Sequence, residues 1–420
     1  MMQGVIGGLV RGVLGRGCVA LVGLLLTVTL PRMLSTDEVG RVYFAISVGA
    51  LLSIFARLGM DNTANAITAN ASDALIQDRK RQIIGASLVL GMAFLSAWVL
   101  LVTVILPEGL LLGLSSTDLL SSGLLGFALA ISYILFQLYR IDGHVFLGAL
   151  TRGFFHNLVI LVSLPLLISA SVGFDLSLLL ACGLVSIVAL ANLILYSARN
   201  GALPSLFDTS GISRLVSARF LLYSFLLYLI TDADYYFIKA YLSDAELGIY
   251  ASMKRLAVLI AIYIDIAHLV LPRVYRNALN RERISEALVV FRRLALLGFV
   301  ASVVLMLVLG LYASPIFLRL WGPDYLPGIS VLNILLLSFA LSLAFGFSEM
   351  WLLLNENKNA LLASMVFVVG MCFALNIMLT PVYGLTGAAW AFSGSSILLR
   401  LIMMIYVRRK YNVWLMMWWR

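Results

Sequence analysis

Leu34-Ser35-Thr36-Asp37-Glu38-Val39-Gly40 and Leu242-Ser243-Asp244-Ala245-Glu246-Leu247-Gly248 are two versions of one polar link, set 208 residues apart. At the same offset Arg11 falls on Arg219 and Pro107 on Pro315. Each link follows an apolar stretch long enough to cross a bilayer, and such stretches fill the rest of the chain. Spans are expected at 11–33, 42–70, 83–106, 119–140, 150–171, 176–198, 215–240, 249–272, 291–313, 328–354, 360–380 and 385–407. Hydrophobic residues make up 62% of the chain, charged residues 12%, and the mean hydropathy is +1.04. A water-soluble domain of this size needs far more polar surface. Repeated apolar runs of about 20 residues specify an integral helical membrane protein. The link opens an outward turn after the first span of each six-span set. Six is even, so both halves start on the same side and the repeats are parallel. The expected fold is all-α: twelve transmembrane helices in two six-helix lobes, 1–200 and 201–420, around a central cavity. The gap Arg273–Phe291 is short and mostly charged, which leaves no room for a large soluble domain.

Lys and Arg placement sets the orientation. One set of loops carries Arg79, Lys80, Arg81, Arg140, Arg152, Arg199, Arg214, Arg273, Arg276, Arg281, Arg283, Arg292, Arg293 and Lys358, with Arg408, Arg409, Lys410 and Arg420 in the tail. The opposite set carries Arg32, Arg41, Lys239 and Arg319. Both termini are therefore expected in the cytoplasm. The net charge of +9 reads as a topology signal beside an anionic leaflet, not as nucleic-acid binding. Arg11 and Arg16 precede no small-residue cleavage site, so the first span is expected to be retained. Gly4, Gly8, Gly12 and Gly15 suit close packing within the bundle or across a dimer. Trp414, Trp418, Trp419 and Arg420 read as an interfacial anchor. Cys18, Cys182 and Cys372, like His144, His156 and His268, are scattered without metal-ligand spacing; no metal or cofactor is expected.

Charges inside the spans carry the functional question. Insertion scales put a central charge at about 2.5–3.5 kcal/mol unfavourable, so these groups must pair, snorkel or line a wet cavity. They are Arg16, Arg57, Asp61, Arg219, Asp232, Asp234, Lys239, Lys254, Arg255, Asp265, His268, Glu349 and Arg400. Arg57 and Asp61, four apart, can pair directly, and a purely structural ion pair is the alternative. Lys254, Ala261, Asp265 and His268 share one face of a continuous helix. Asp232 and Lys239 share a face with Tyr228 and Tyr235. The repeat offset sets Asp265 at the position equivalent to Arg57. Arg16, Arg219 and Lys239 lie near an interface, where snorkelling is the bland reading. Asp232-x-Asp234 reads as a structural or cavity-rim element. Glu349 and Arg400 stand on long apolar helices and can pair with each other.

The link L-S-x-x-E-[VL]-G, followed by Tyr43 or Tyr250, resembles the signature of polysaccharide exporters of the multidrug/oligosaccharidyl-lipid/polysaccharide superfamily. Leu320-Trp321-Gly322-Pro323-Asp324-Tyr325 and Asp232-Ala233-Asp234-Tyr235-Tyr236 carry the same resemblance, which covers the full length. The closest subgroup is the Wzx-type flippases of lipid-linked O-antigen and related units. The resemblance implies a non-enzymatic transporter in the bacterial inner membrane that carries a polyprenyl-diphosphate-linked oligosaccharide outward by alternating access. Its partners would be that substrate, membrane lipids, a polysaccharide polymerase and a chain-length regulator. Arginine suits the diphosphate because its planar fork gives bidentate, charge-assisted bonds. The residues assigned to it are Arg57, Arg219, Arg16, Lys254 and Arg400. Asp61, Asp232, Asp265 and Glu349 would couple an ion or balance charge. A multidrug antiporter of the same superfamily and a major-facilitator transporter are the rival transporters. Asp78-Arg79-Lys80-Arg81 resembles the latter's loop motif but lacks the flanking glycines. No nucleophile–base set or nucleotide-binding loop supports an enzyme.

Overall fold

A computed structural model describes residues 2–61, 63–64, 73–105, 115–201, 215–257, 259–280, 284–355 and 357–416. Most of these residues are helical. In order they are α1 (Met2–Met33), α2 (Thr36–Arg57), α3 (Asp73–Leu100), α4 (Ser116–Ile141), α5 (Val145–Ser169), α6 (Phe174–Arg199) and α7 (Ala218–Tyr241). There follow α8 (Asp244–Ala257), α9 (Leu259–Asn280), α10 (Ile284–Leu320), α11 (Gly328–Ala344), α12 (Ser348–Leu354) and α13 (Lys358–Tyr411). Among the described residues nine helices are long and apolar enough to cross a membrane. The pair α11–α12, bent by 47°, makes a tenth span. Helix α13 turns at Gly384 and so comprises two spans, and α8 with α9 occupies the eighth expected position. Twelve successive segments result, as the sequence pattern requires.

Three expectations need correction. The second span does not run unbroken over 42–70: α2 ends at Arg57, and Leu58 (φ 49°) and Gly59 (φ 78°) turn the chain left-handed. Helical geometry resumes at Met60 and Asp61. The tenth span is broken at Phe345–Phe347, where Gly346 takes φ 78° and Ser348 and Glu349 follow. Helix α10 runs over Ile284–Leu320 and so passes the expected 291–313 at both ends.

The two copies of the polar link have one local function. Ser35 Oγ accepts from the Glu38 N–H at 3.3 Å, and the Glu38 carboxylate accepts from the Ser35 N–H at 2.9 Å. Ser243 and Glu246 repeat the arrangement at 3.2 and 3.0 Å. Both are capping boxes, in which a serine and a glutamate three residues on satisfy each other's otherwise orphaned amides at a helix start.

The chain divides into two compact units, Met1–Phe225 and Leu226–Arg420. In the first, α4 is the hub and packs on α2, α3, α5 and α6, while α1 lies along α5. Gly49 and Gly126 let α2 and α4 approach closely. A β-carbon on Gly126 would lie 2.8 Å from Leu52 Cβ, and one on Gly49 equally near Leu125 Cβ. Gly15 makes the corresponding approach to Ala149 of α5, so part of the N-terminal glycine stripe packs inside the bundle. Charges lace this unit at both helix ends. Arg41 of α2 donates to both carboxylate oxygens of Asp118 at the start of α4 (3.2 and 2.9 Å), and also bonds Asp175 at the start of α6. At the other end Lys80 of α3 pairs with Asp142, which also accepts from Tyr196 OH at 2.6 Å. In the second unit α11 packs on α8, α10 and α13, and α12 on α13. Large apolar side chains such as Leu14, Leu100, Val104, Leu311 and Val382 remain exposed. That is the surface expected of a chain whose solvent is hydrocarbon. The protein is a multi-pass helical membrane protein.

Candidate functional site

Two charged clusters lie within the apolar helices, one in each unit. The cluster of the first unit is built on one face of α4, where Tyr133 and Phe136 stand three apart. The Arg57 guanidinium lies over the Tyr133 ring, 4.0 Å from its centre. Arg152 of α5 is 5.2 Å from Tyr133 and 5.4 Å from Phe136. Arg140 and Arg16 approach Phe136 at 5.3 and 5.9 Å. The Asp61 carboxylate meets Arg57 NH1 at 2.7 Å, and Arg57 Nε donates to the Ser53 carbonyl at 3.0 Å. Arg57 and Asp61 are each only 6% exposed, whereas Arg16 and Arg152 are half-buried and Arg140 is exposed. Four guanidinium groups and one carboxylate thus share two aromatic faces. Ring quadrupoles help to hold cations where water is scarce. Of these cations Arg57 has its carboxylate partner in Asp61.

The pairing of Arg57 with Asp61 was legible, but the sequence placed it on a continuous helix. It forms instead across the Leu58–Gly59 turn. Arg152 and Tyr133 were missed as members: Arg152 looked like one more loop arginine, and Tyr133 like packing. Arg152 stands at the start of the expected span 150–171, but α5 begins at Val145 and places it about two turns into the helix. Arg219 is exposed in the first turn of α7, next to Phe220, which packs on Gly59.

The cluster of the second unit centres on Lys254 of α8. Its ammonium donates to both oxygens of Asp234 at 2.8 Å and to the Thr231 carbonyl. It lies 3.6 Å from Asp232, 4.5 Å from the Tyr235 ring and 4.7 Å from that of Phe392. Tyr250 OH donates to Asp234, and Tyr228 and Tyr236 hydroxyls meet at 2.8 Å. The Asp234 side chain is 2% exposed, while that of Asp232 is 32% exposed. Asp234 is therefore the principal counter-ion, and sequence reasoning gave that weight to Asp232. Lys239 pairs with Asp244. Asp265 and His268 were expected on the Lys254 face of one unbroken helix; their backbone lies in α9, but their side chains lie outside the described residues. Glu349, at the α11–α12 bend, meets Arg400 of α13 at 2.8 Å. Cys18, Cys182 and Cys372 are free thiols.

No protein-family model and no curated protein matches the chain. Solved structures do match its fold. An inward-facing multidrug-resistance MATE transporter of the MOP superfamily gives a TM-score of 0.68 at 13% identity, with 94% of each chain covered. The lipid II flippase MurJ, in an inward closed conformation, gives 0.71 at 14% identity over 96% of this chain and 87% of MurJ. A variant of the Vibrio cholerae MATE transporter VcmN gives 0.62 at 15% identity, over 97% of each chain. The chain has the fold of MOP-superfamily transporters.

Proposed function

We propose that this protein is a flippase of the bacterial inner membrane. Its cargo would be a polyprenyl-diphosphate-linked oligosaccharide, an O-antigen or other surface-polysaccharide unit, moved from the cytoplasmic to the periplasmic leaflet by alternating access. The observation that supports this reading is the arginine–aromatic cluster of Arg16, Arg57, Arg140 and Arg152 on Tyr133 and Phe136. A cation in an apolar setting is costly unless an anion offsets it. A diphosphate carries two or more negative charges and matches the guanidinium fork. The aromatic faces would serve the sugar as they serve the arginines. In this reading Arg57 and Arg152 grip the diphosphate and Arg16 assists. Arg219, on its exposed helix turn, would meet the cargo on entry. Lys254 and Arg400 are each already held by carboxylates, so neither is assigned to the diphosphate in this reading.

The test is surface-glycan export in a deletion strain carrying each variant at matched membrane abundance. Arg57→Ala and Arg152→Ala should each lower export at least about tenfold, the cost of one lost charge-assisted contact, and Arg57→Lys should lower it less. Full export by the double alanine variant would refute the assignment.

A second reading, a multidrug antiporter, draws on Asp232. It is a part-exposed carboxylate beside Tyr228, Tyr235 and Tyr236, the chemistry that suits an organic cation. It predicts that expression raises resistance to cationic drugs and that Asp232→Asn abolishes the effect. The flippase reading predicts no change in resistance.

A further inference from the structure

This inference deepens the anion-site reading and rests on it. Asp61 sits on the far side of a joint from the arginine it neutralises. Leu58 is a non-glycine residue at φ 49°, and Gly59 follows at φ 78°. Two left-handed residues in succession end α2 directly after Arg57. Gly59 is required twice over. Its φ disfavours any side chain, and a β-carbon there would lie 2.7 Å from the Ser217 carbonyl oxygen and 2.9 Å from the Leu221 nitrogen. The joint is also stitched to the start of α7. The Ser217 N–H donates to the Leu58 carbonyl at 3.1 Å, and Phe55 packs on Phe225 with ring centres 5.5 Å apart. Beyond the joint, Met60, Asp61, Thr63 and Ala64 are buried, and Thr63 bonds back to the Gly59 carbonyl. The joint lies between Arg57 and Asp61 and is bonded to Ser217, so a backbone shift that carries Asp61 away from Arg57 is felt at Leu58–Gly59 and at the Ser217 amide.

We propose that Asp61 is an internal stand-in for the phosphate group of the cargo. A diphosphate arriving at Arg57 and Arg152 displaces it, and the Leu58–Gly59 joint passes that displacement to the first turn of α7. Asp61 and Gly59 are thus positioning residues: one keeps Arg57 paired while the site is empty, the other reports its filling. A phosphate wins the exchange because it offers more acceptor oxygens and more charge than one carboxylate.

The experiment uses the purified full-length protein in lipid nanodiscs, with geranyl diphosphate as the probe. Binding is measured by calorimetry, and backbone opening by hydrogen–deuterium exchange over residues 215–221. In the wild type the probe should bind and raise exchange of the Ser217–Leu221 amides about threefold or more; Arg57→Ala should abolish both effects. Asp61→Asn removes the competitor, so it should bind the probe about five- to tenfold tighter and show raised exchange without it. Asp61→Glu keeps the charge and should return both readouts towards wild type. A merely structural Asp61 would give the Asn variant equal or weaker binding. If the wild type binds but either the exchange response or the affinity gain is missing, this inference is overturned and the anion site stands. If the wild type does not bind the probe, both are overturned.

Discussion

Asp232 and Asp234 differ by two positions and by most of their physical circumstance. Asp234 is enclosed, with Lys254 and Tyr250 occupying both its oxygens, while Asp232 keeps a third of its surface open. Breaking a buried ion pair from one side costs about 3–5 kcal/mol, because the survivor is left as an uncompensated charge. Asp234→Asn should therefore lower the thermal midpoint of the detergent-solubilised protein by several degrees. Adding Lys254→Met should recover much of the loss, since the stranded ammonium is gone. A double variant as unstable as the single one would contradict the pairing. Asp232→Asn, part-exposed and 3.6 Å from the ammonium, should change the midpoint little. At this scale the sequence named most of the participants, Arg57, Asp61, Asp232, Lys254, Glu349 and Arg400 among them. Intrahelical spacing exposed Arg57–Asp61. Lys254–Asp234 joins α8 to α7, and Arg152–Tyr133 joins α5 to α4. Which charge meets which across helices depends on rotation and depth, and one-dimensional spacing carries neither.

Helix starts and helix crossings decide the elements. The capping boxes at Ser35 and Ser243 each satisfy backbone amides that would otherwise be unbonded. Ser35→Ala or Ser243→Ala should cost about 0.5–2 kcal/mol. Faster hydrogen exchange in the first turn of α2 or α8 respectively is the expected readout, with the other helix unchanged. Close approach gives a sharper contrast. Gly126→Ala would thrust a methyl to within 2.8 Å of Leu52 Cβ and 3.2 Å of the Gly49 carbonyl. It should destabilise by about 1–3 kcal/mol, as overpacking does. Gly17 has open space where its β-carbon would go, so Gly17→Ala should be neutral or slightly stabilising. Thermal unfolding of the two variants side by side checks this, and equal midpoints would count against the α2–α4 contact. The S-x-x-E pattern of both caps was legible in the repeat itself. The joint at Leu58–Gly59 and the break at Phe345–Phe347 were not, because hydropathy averages over the residue or two that turn a backbone.

For the whole molecule the orientation remains the sequence-derived expectation, and it has a direct measurement. Single cysteines placed at Ser116 and Thr386 in a background lacking Cys18, Cys182 and Cys372 should react with an impermeant reagent added to intact cells. A cysteine at Ser285, exposed near the start of α10, should react only after the inner membrane is opened. Labelling of the Ser285 position in intact cells would invert the topology and, with it, the direction of transport. Ser177 is fully buried and would report nothing.

The sequence by itself determined that the chain crosses a membrane repeatedly and which stretches are apolar enough to do so. Those properties follow from the transfer energy of apolar runs, which sums along the chain and needs no knowledge of neighbours. It also determined the paired polar links, because a helix start must satisfy its own amides locally. The tertiary structure decided which carboxylate neutralises which base, and that α2 stops at Arg57. It also decided that four arginines converge on two rings of α4. These depend on how helices rotate and approach in hydrocarbon, where close packing and cross-helix polar contacts, not hydrophobicity, select the arrangement.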